Sequence, residues 1–239
     1  MKTLIVIPAY KEWARLPRLL EEINLRDGWN KKFGIDFLVV DDGSGIEEQQ
    51  NLRFMVGFLP SVSLMGLSEN QGKGGAIEAG FRWGLEKGYD ILGFMDADGS
   101  VEVDALYEVA HYIWNDEQVA AAIGSRVKML GRSVERYALR HYFGRVFATF
   151  VSALFNAPIY DSQCGLKLFR AHNVARHLGA TIDARWVWDT QLVLTMLRHK
   201  EIVHEVPIKW REVRGSKLSL VDPIVMVWHL VKFRYLTNS

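Results

Sequence analysis

Residues 91–100 read ILGFMDADGS, an apolar run that stops at two carboxylates one residue apart, Asp96 and Asp98. Ionised carboxylates this close repel, and burying either without a partner is costly. Three arrangements relieve the conflict: a hydrogen-bonded turn or helix cap, full solvation, or a divalent cation shared through hard oxygen ligands. A bare D-x-D is frequent by chance. Here, however, two other apolar runs end in the same manner, TLIVIPAYKE in Pro8, Ala9, Tyr10, Lys11 and Glu12, and FLVVDDGS in Asp41 and Asp42. Three strand ends gathered at one place favour the cation over the turn. An Mg²⁺ or Mn²⁺ held by Asp96 and Asp98 would neutralise a diphosphate leaving group.

Asp41 and Asp42 have two open readings: a turn capping the helix expected near Glu47, or carboxylates accepting hydrogen bonds from a nucleobase or ribose. Tyr10 either packs structurally or lies against a base. The stretch NQGKGGA (70–76) places glycines and Lys73 at a helix start, a sensible place for phosphate. It is not a G-x-x-x-x-G-K-[ST] loop, because no hydroxyl follows the lysine. No G-x-G-x-x-G follows the first strand, which argues against a nicotinamide enzyme. Cys164 is the single cysteine, which excludes an intramolecular disulfide, and it reads as an inert buried thiol.

The elements that must position these groups alternate. Strands are expected over TLIVIPAY, FLVVDDGS, VSLMGL, ILGFMDAD and AAIGSR, and helices over LPRLLEEI, EEQQNLRFM, AIEAGFRWGLEKG and DALYEVAHYIW. Continuous apolar strands imply burial on both faces, and strand–helix repetition implies βαβ units. The class is α/β, with a mainly parallel central sheet flanked by helices and ligands bound beyond the carboxyl ends of its strands.

The second half differs. A long aromatic-rich helix is expected over 132–155, with Arg132, Arg136 and Arg140 on one face. Between Arg126 and Arg145 six Lys/Arg stand against one acid, Glu135. Such a face is either merely solvated or suited to a membrane interface or an anionic lipid head group. Nucleic acid is the poorer partner, since the net charge is +1 and no binding motif is present. Then follow DSQCGLKLF, a helix around DTQLVLTMLRH, a strand EIVHEVPIKW, a basic turn WREVRGSKL and an apolar helix DPIVMVWHLVKFRY. No uncharged apolar stretch reaches the roughly 18 to 20 residues that span a bilayer, and MKTLIVIPAY is broken by proline too soon for a signal peptide. The expectation is a cytoplasmic protein, soluble or peripheral on the cytoplasmic membrane face. No linker divides the 239 residues, so one domain is expected.

The ordered series PAYKE, VVDDGS, NQGKGGA, FMDADG and GSR resembles the family-2 glycosyltransferases of GT-A fold, over nearly the whole chain. DSQCGLKLF, WVWDTQLV and EVPIKWREVRGSKL are similar to the polyprenyl-phosphate members, dolichyl-phosphate β-glucosyltransferases above all. The resemblance implies a nucleotide-sugar-binding half, 1–126, and an acceptor-binding half, 127–239, of one GT-A domain. It implies that Pro8, Ala9, Tyr10, Glu12, Asp41 and Asp42 hold the nucleoside and that Lys73, Asp96 and Ala97 meet the rest of the donor. Asp96 and Asp98 would bind the metal, with Ser100 a further ligand. Arg126 and Arg140 would receive the acceptor phosphate, Arg211 and Lys217 would close over the diphosphate, and Trp188 and Asp189 would lie near the sugar.

The implied activity is a metal-dependent inverting transfer of a hexose, glucose first, from a nucleotide-diphosphate sugar, UDP first, to a polyprenyl phosphate. Asp98, Asp189, Arg126 and Lys217 are the catalytic candidates. A hydroxyl acceptor would need a carboxylate base, for which Asp189 and Asp161 are available. A phosphate monoester, with a second pKa of about 6, is already an oxyanion and needs none. The arginines of 126–145 therefore favour the lipid phosphate. The rivals are a family-2 enzyme acting on a soluble or polysaccharide hydroxyl, and a sugar-nucleotide-binding module without turnover.

Overall fold

The computed structural model describes residues 1–135, 138–183, 185–213 and 222–237, with the side chains of 138–141 and 143 outside that description. The first unit runs from strand β1 (Thr3–Ala9) through helices α1 (Leu16–Leu25) and α2 (Asp27–Phe33) to β2 (Ile35–Asp41). Helix α3 (Ile46–Val56), β3 (Val62–Gly66), α4 (Lys73–Glu86), β4 (Ile91–Met95), α5 (Val103–Asn115) and β5 (Val119–Ser125) continue the alternation. The remainder comprises β6 (Val134–Glu135), α6 (Ala138–Phe155), β7 (Leu166–Arg170), α7 (Ala171–His177), α8 (Trp188–Arg198), β8 (Ile202–Pro207), β9 (Trp210–Arg211) and α9 (Asp222–Thr237).

Seven strands form one sheet in the order β3-β2-β1-β4-β7-β5-β8. All are parallel except β7, which runs antiparallel between β4 and β5. The register Ala9↔Asp41 brings the ends of β1 and β2 level. Because β7 is reversed, it begins at the edge where its neighbours end. The loop before it, 161–165, therefore joins the strand-end motifs.

The apolar strands divide their side chains between two core layers, as a period of two requires. Ile5, Ile7, Phe37 and Val39 pack with Leu16, Leu20, Leu106 and Val109 on one face. Leu4, Val6, Leu38 and Val40 pack with Ile77, Phe81, Leu192 and Met196 on the other. Full burial of each such side chain is worth about 1.5–3 kcal/mol, so the strands are held from both sides. Helix α4 lies hard on the sheet: a Cβ at Gly84 would stand 2.5 Å from Leu92 Cδ2, and one at Gly80 2.6 Å from Val6 Cγ2. Only glycine permits that approach, and it sets the height of Lys73 at the helix start.

Three expectations are corrected. The helix expected over 132–155 is helical only from Ala138 among the described residues. Val134–Glu135 instead pairs in parallel with Trp210–Arg211, so a long-range ladder overrides the helical spacing. Arg132 thus lies ahead of α6 and pairs with Glu108 at 2.5 Å, not on a face shared with Arg140. EIVHEVPIKW is two strands, β8 and β9, interrupted at Ile208–Lys209. Among the described residues, no helix is long and apolar enough to cross a membrane.

Candidate active site

A cleft of about 1130 Å³ opens over the carboxyl ends of β1, β4 and β5, walled by the start of α4 and by α6 and α9. Pro8, Ala9, Tyr10, Glu12, Asp42, Lys73, Asp96, Ala97, Asp98, Ser100 and Arg126 all line it. Asp41, Asp189 and Arg211 do not. Lys217 lies outside the described residues, as does the side chain of Arg140.

Asp96 leaves β4 with its N–H donating to the Gly165 carbonyl at 2.9 Å, and its Oδ1 lies 2.5 Å from Lys73 Nζ. Burial alone would lower the Lys73 pKa, but Asp96, with Asp189 and Asp98 further off, outweighs it and raises the value, so the group stays an ammonium. Asp98 Oδ1 accepts the Ser100 N–H at 2.9 Å, and its Oδ2 is 3.9 Å from Arg15 Nη1. Burial first, and then the Asp96 charge, push the Asp98 carboxyl up. A divalent cation between these oxygens would relieve that tension, so the donor set fits a hard metal. Among the described residues no group of three or more His, Cys, Asp or Glu is placed to hold an ion, so further oxygens must come from the donor or water.

Asp42 is committed to the loop that precedes α4. Its Oδ1 accepts the Gln71 N–H at 2.7 Å, and its Oδ2 accepts Asn70 Nδ2 at 2.8 Å and the Gly72 N–H at 2.9 Å. Asp41 is fully buried, with Oδ2 accepting the Ser44 N–H at 3.3 Å and Oδ1 without a hydrogen-bond partner among the described residues.

Just after β5, Arg126 meets Asp161 fork to fork, Nε to Oδ2 at 2.6 Å and Nη2 to Oδ1 at 2.7 Å, near enough to Asp96 for that charge to act on it too. Burial pushes the Asp161 carboxyl up, but the Arg126 charge and hydrogen bonds outweigh it and hold the group well below the usual carboxylate range. Glu205 on β8 accepts the backbone N–H of both Tyr160 and Asp161 at 2.7 Å. The nearby wall is apolar, with Val146, Phe147 and Phe150 from α6 and Ile224, Met226 and Val227 from α9.

Asp189 sits in the first turn of α8 and is ion-paired with Lys167. Lys167 is fully buried on β7 and donates also to the carbonyls of Ser162 at 2.8 Å and Cys164 at 3.0 Å. Trp188 is a core residue packed on Phe81, its indole N–H on Glu78 Oε2 at 3.0 Å, and Trp186 lines the cleft instead. Arg211 is exposed, and its backbone N–H donates to the Ser100 carbonyl at 3.0 Å. Sequence reasoning missed Arg15, Arg185, Lys167 and Glu205. Lys167 carried a signal: a lysine inside the apolar run GLKLF can be buried only with a partner.

The model of Glycosyl transferase family 2 matches residues 4–175. A dolichyl-phosphate beta-glucosyltransferase of Drosophila melanogaster is 32% identical over 264 residues, covering 98% of this chain and 76% of that protein. Its Saccharomyces cerevisiae counterpart is 29% identical, covering 96% and 73%. Among solved structures, the glucosyl-3-phosphoglycerate synthase of Mycobacterium tuberculosis in complex with Mn²⁺, UDP and glucosyl-3-phosphoglycerate superposes with a TM-score of 0.73 at 14% identity, covering 98% and 80%. The mannosyltransferase PcManGT of Pyrobaculum calidifontis, in complex with GDP-Man and Mn²⁺, gives 0.66 at 20%, covering 97% and 62%.

Proposed function

Since the chain belongs to glycosyl transferase family 2 and has the GT-A fold, we propose that it is a metal-dependent inverting hexosyltransferase moving glucose from UDP-glucose to a polyprenyl phosphate. The observation that carries this reading is the composition of one cleft. Its sheet edge presents Asp96 and Asp98, and its lining also holds Arg126 and Arg145 together with apolar residues of α6 and α9. That combination suits a diphosphate sugar beside an anion with a hydrocarbon tail. The dolichyl-phosphate β-glucosyltransferase relatives support the acceptor and sugar, and the Mn²⁺–UDP complex of the structural neighbour supports the metal and base.

In this reading residues 1–126 bind the donor and 127–239 the acceptor. Pro8, Ala9, Tyr10 and Glu12 enclose the nucleoside with Asp42 beside them in the cleft, and the buried Asp41 supports that strand end from behind through the Ser44 N–H. Asp96 and Asp98, with Ser100, hold Mg²⁺ or Mn²⁺, which supplies charge compensation for the diphosphate when bound. The Lys73 ammonium, now on Asp96, faces the donor phosphates, and Arg211 and Lys217 close over them. An oxygen of the acceptor phosphate forms the new bond to the anomeric carbon as the bond to the diphosphate oxygen breaks on the opposite face, which inverts the sugar. No base is needed. This agrees with Asp189 and Asp161 each being tied to a cation, Lys167 and Arg126, and so poorly suited to take a proton.

A peripheral membrane contact belongs to the same reading. Ile224, Trp228, Val231 and Tyr235 of α9 and Tyr142 and Val146 of α6 are exposed, Ile224 and Val146 of them lining the cleft, with Lys232 on the same helix as Trp228. Aromatic and basic groups together suit an anionic cytoplasmic leaflet.

The test is a partition assay with Mn²⁺, a short polyprenyl phosphate and radiolabelled UDP-glucose or, separately, GDP-mannose. Label extracted into organic solvent from UDP-glucose, and lost in Asp98→Ala, is expected. Nucleoside diphosphate released only when hydroxyl acceptors are supplied would sink the proposal in favour of a soluble acceptor.

A further inference from the structure

Among the described residues, five cations line the cleft: Arg15, Lys73, Arg126, Arg145 and Arg185. Three face carboxylates, Arg15 with Glu12 at 2.5 Å, Lys73 with Asp96 at 2.5 Å and Arg126 with Asp161 at 2.6 Å. Neither Arg145 nor Arg185 has an ion-pair partner among the described residues. Arg185 belongs to the donor end, where its carbonyl accepts the Gly74 N–H at 3.0 Å and its charge acts on Asp42. Among the described residues, that leaves Arg145 as the cation beside the apolar wall of α6 whose charge is not already balanced.

Arg145 is also held in place. Its guanidinium carbon lies 3.6 Å from the centroid of the Tyr160 ring, and its Nη1 donates to the Tyr160 carbonyl at 2.9 Å. The Tyr160 backbone is in turn pinned by Glu205 at 2.7 Å. A planar guanidinium stacked on a ring keeps its edge donors available and loses little further freedom on binding an anion. Arg126 and Arg145 are thus tied to consecutive residues, Asp161 and Tyr160. The first is closed fork to fork by a carboxylate, and the second, with Nη1 on the Tyr160 carbonyl, has no carboxylate on its guanidinium among the described residues.

We propose that Arg145, stacked on Tyr160, is the residue that binds the phosphate monoester of the acceptor and selects it over a neutral alcohol, while Arg126 braces the 160–161 turn through Asp161. The assignment rests on the lipid-phosphate reading for its role in turnover, but its ligand, a phosphate monoester, can be tested by binding alone.

The experiment measures binding and turnover side by side. Wild type, Arg145→Gln, Arg145→Lys and Tyr160→Leu are titrated calorimetrically with farnesyl phosphate, farnesol and inorganic phosphate, after thermal melts confirm folding. Wild type is expected to bind farnesyl phosphate and not farnesol, and Arg145→Gln to lose roughly 30-fold or more of that affinity. Arg145→Lys, which keeps the charge without the fork, should recover part of the loss, and Tyr160→Leu should show roughly fivefold weakening. Inorganic phosphate binding as tightly as farnesyl phosphate would identify a free-phosphate site and overturn the acceptor role. In turnover, KM for the lipid phosphate should rise by a similar factor in Arg145→Gln, with KM for UDP-glucose unchanged and kcat within roughly threefold. Wild-type affinity for farnesyl phosphate in Arg145→Gln, or a loss confined to kcat, overturns the assignment. Arginine-dependent phosphate binding in a protein that glycosylates no lipid phosphate overturns the proposed function instead.

Discussion

The Asp96 carboxylate rests against the bare α-carbon of Gly165: a Cβ there would stand 2.1 Å from Asp96 Oδ2 and 2.4 Å from its Cγ. The backbone of the same glycine accepts the Asp96 N–H, so the residue both anchors Asp96 and leaves room for it. Gly165→Ala is expected to displace the carboxylate and lower kcat by roughly 100-fold, the penalty typical of a 1 Å misplacement. Overpacking should cost about 1–3 kcal/mol of stability, so a melt showing a folded protein with wild-type turnover would refute the contact's importance.

Asp98 holds its oxygens beside a like charge, and metal occupancy should be visible without turnover. Calorimetric titration with Mn²⁺ in the presence of UDP is expected to give a site that Asp98→Ala loses, and EDTA should abolish wild-type activity until Mn²⁺ is restored. Removing one such charge-stabilising group costs roughly 100- to 1000-fold in kcat. Full activity in EDTA would exclude the metal.

Asp161 and Arg126 form a nearly buried pair. Asp161→Asn would leave the guanidinium without its counter-charge and should cost about 3–5 kcal/mol, a fall in Tm of roughly 10 °C. The sign with pH follows from the direction of the Asp161 shift. A depressed folded pKa contributes stability that is complete above the unfolded value of about 3.9 and is lost as pH falls through the folded value below it. The Tm gap between wild type and Asp161→Asn should therefore be constant from neutral pH to about 5 and narrow below about 4. A gap that widens on acidification would contradict the pairing.

Cys164 is buried, and its surroundings push the thiol up to about 12. At pH 8 it carries roughly a thousandfold less thiolate than an ordinary thiol of pKa near 9. A maleimide should leave the native protein unlabelled for hours and label it once, within minutes, in denaturant. Prompt native labelling would show that the 161–165 loop opens.

Much of this was legible from local chemistry. The runs LIVI, FLVV and ILGFM announce strands buried on both faces, and the polar residues at their ends fall in the cleft because parallel strands end on the same edge. What was illegible depends on partners distant in sequence. LKLFR hides a central strand because its lysine and arginine look like surface residues. Only the backbone carbonyls and Asp189 that receive Lys167 make the strand intelligible. The arginine spacing through 132–140 suggests one helix face, yet Val134–Glu135 is claimed by Trp210–Arg211. Likewise, nothing local separates Trp188, which packs into the core, from Trp186, which lines the cleft.

The reversed strand β7 also bears on how the chain folds. It is flanked on both sides by strands made earlier, β4 and β5, which cannot pair with each other while leaving its place open. Until residues 166–170 enter, β4 presents an unpaired hydrogen-bonding edge flanked by apolar side chains, the surface that templates aggregation. A chain halted near residue 126 would hold every aspartate of the donor end and still be a sticky, unfinished sheet. Closure of that gap also delivers Gly165 to Asp96 and Asp161 to Arg126. Completion of the sheet and assembly of the cleft are therefore one late, long-range event, and slow nascent-chain synthesis should leave the protein dependent on chaperones until it occurs.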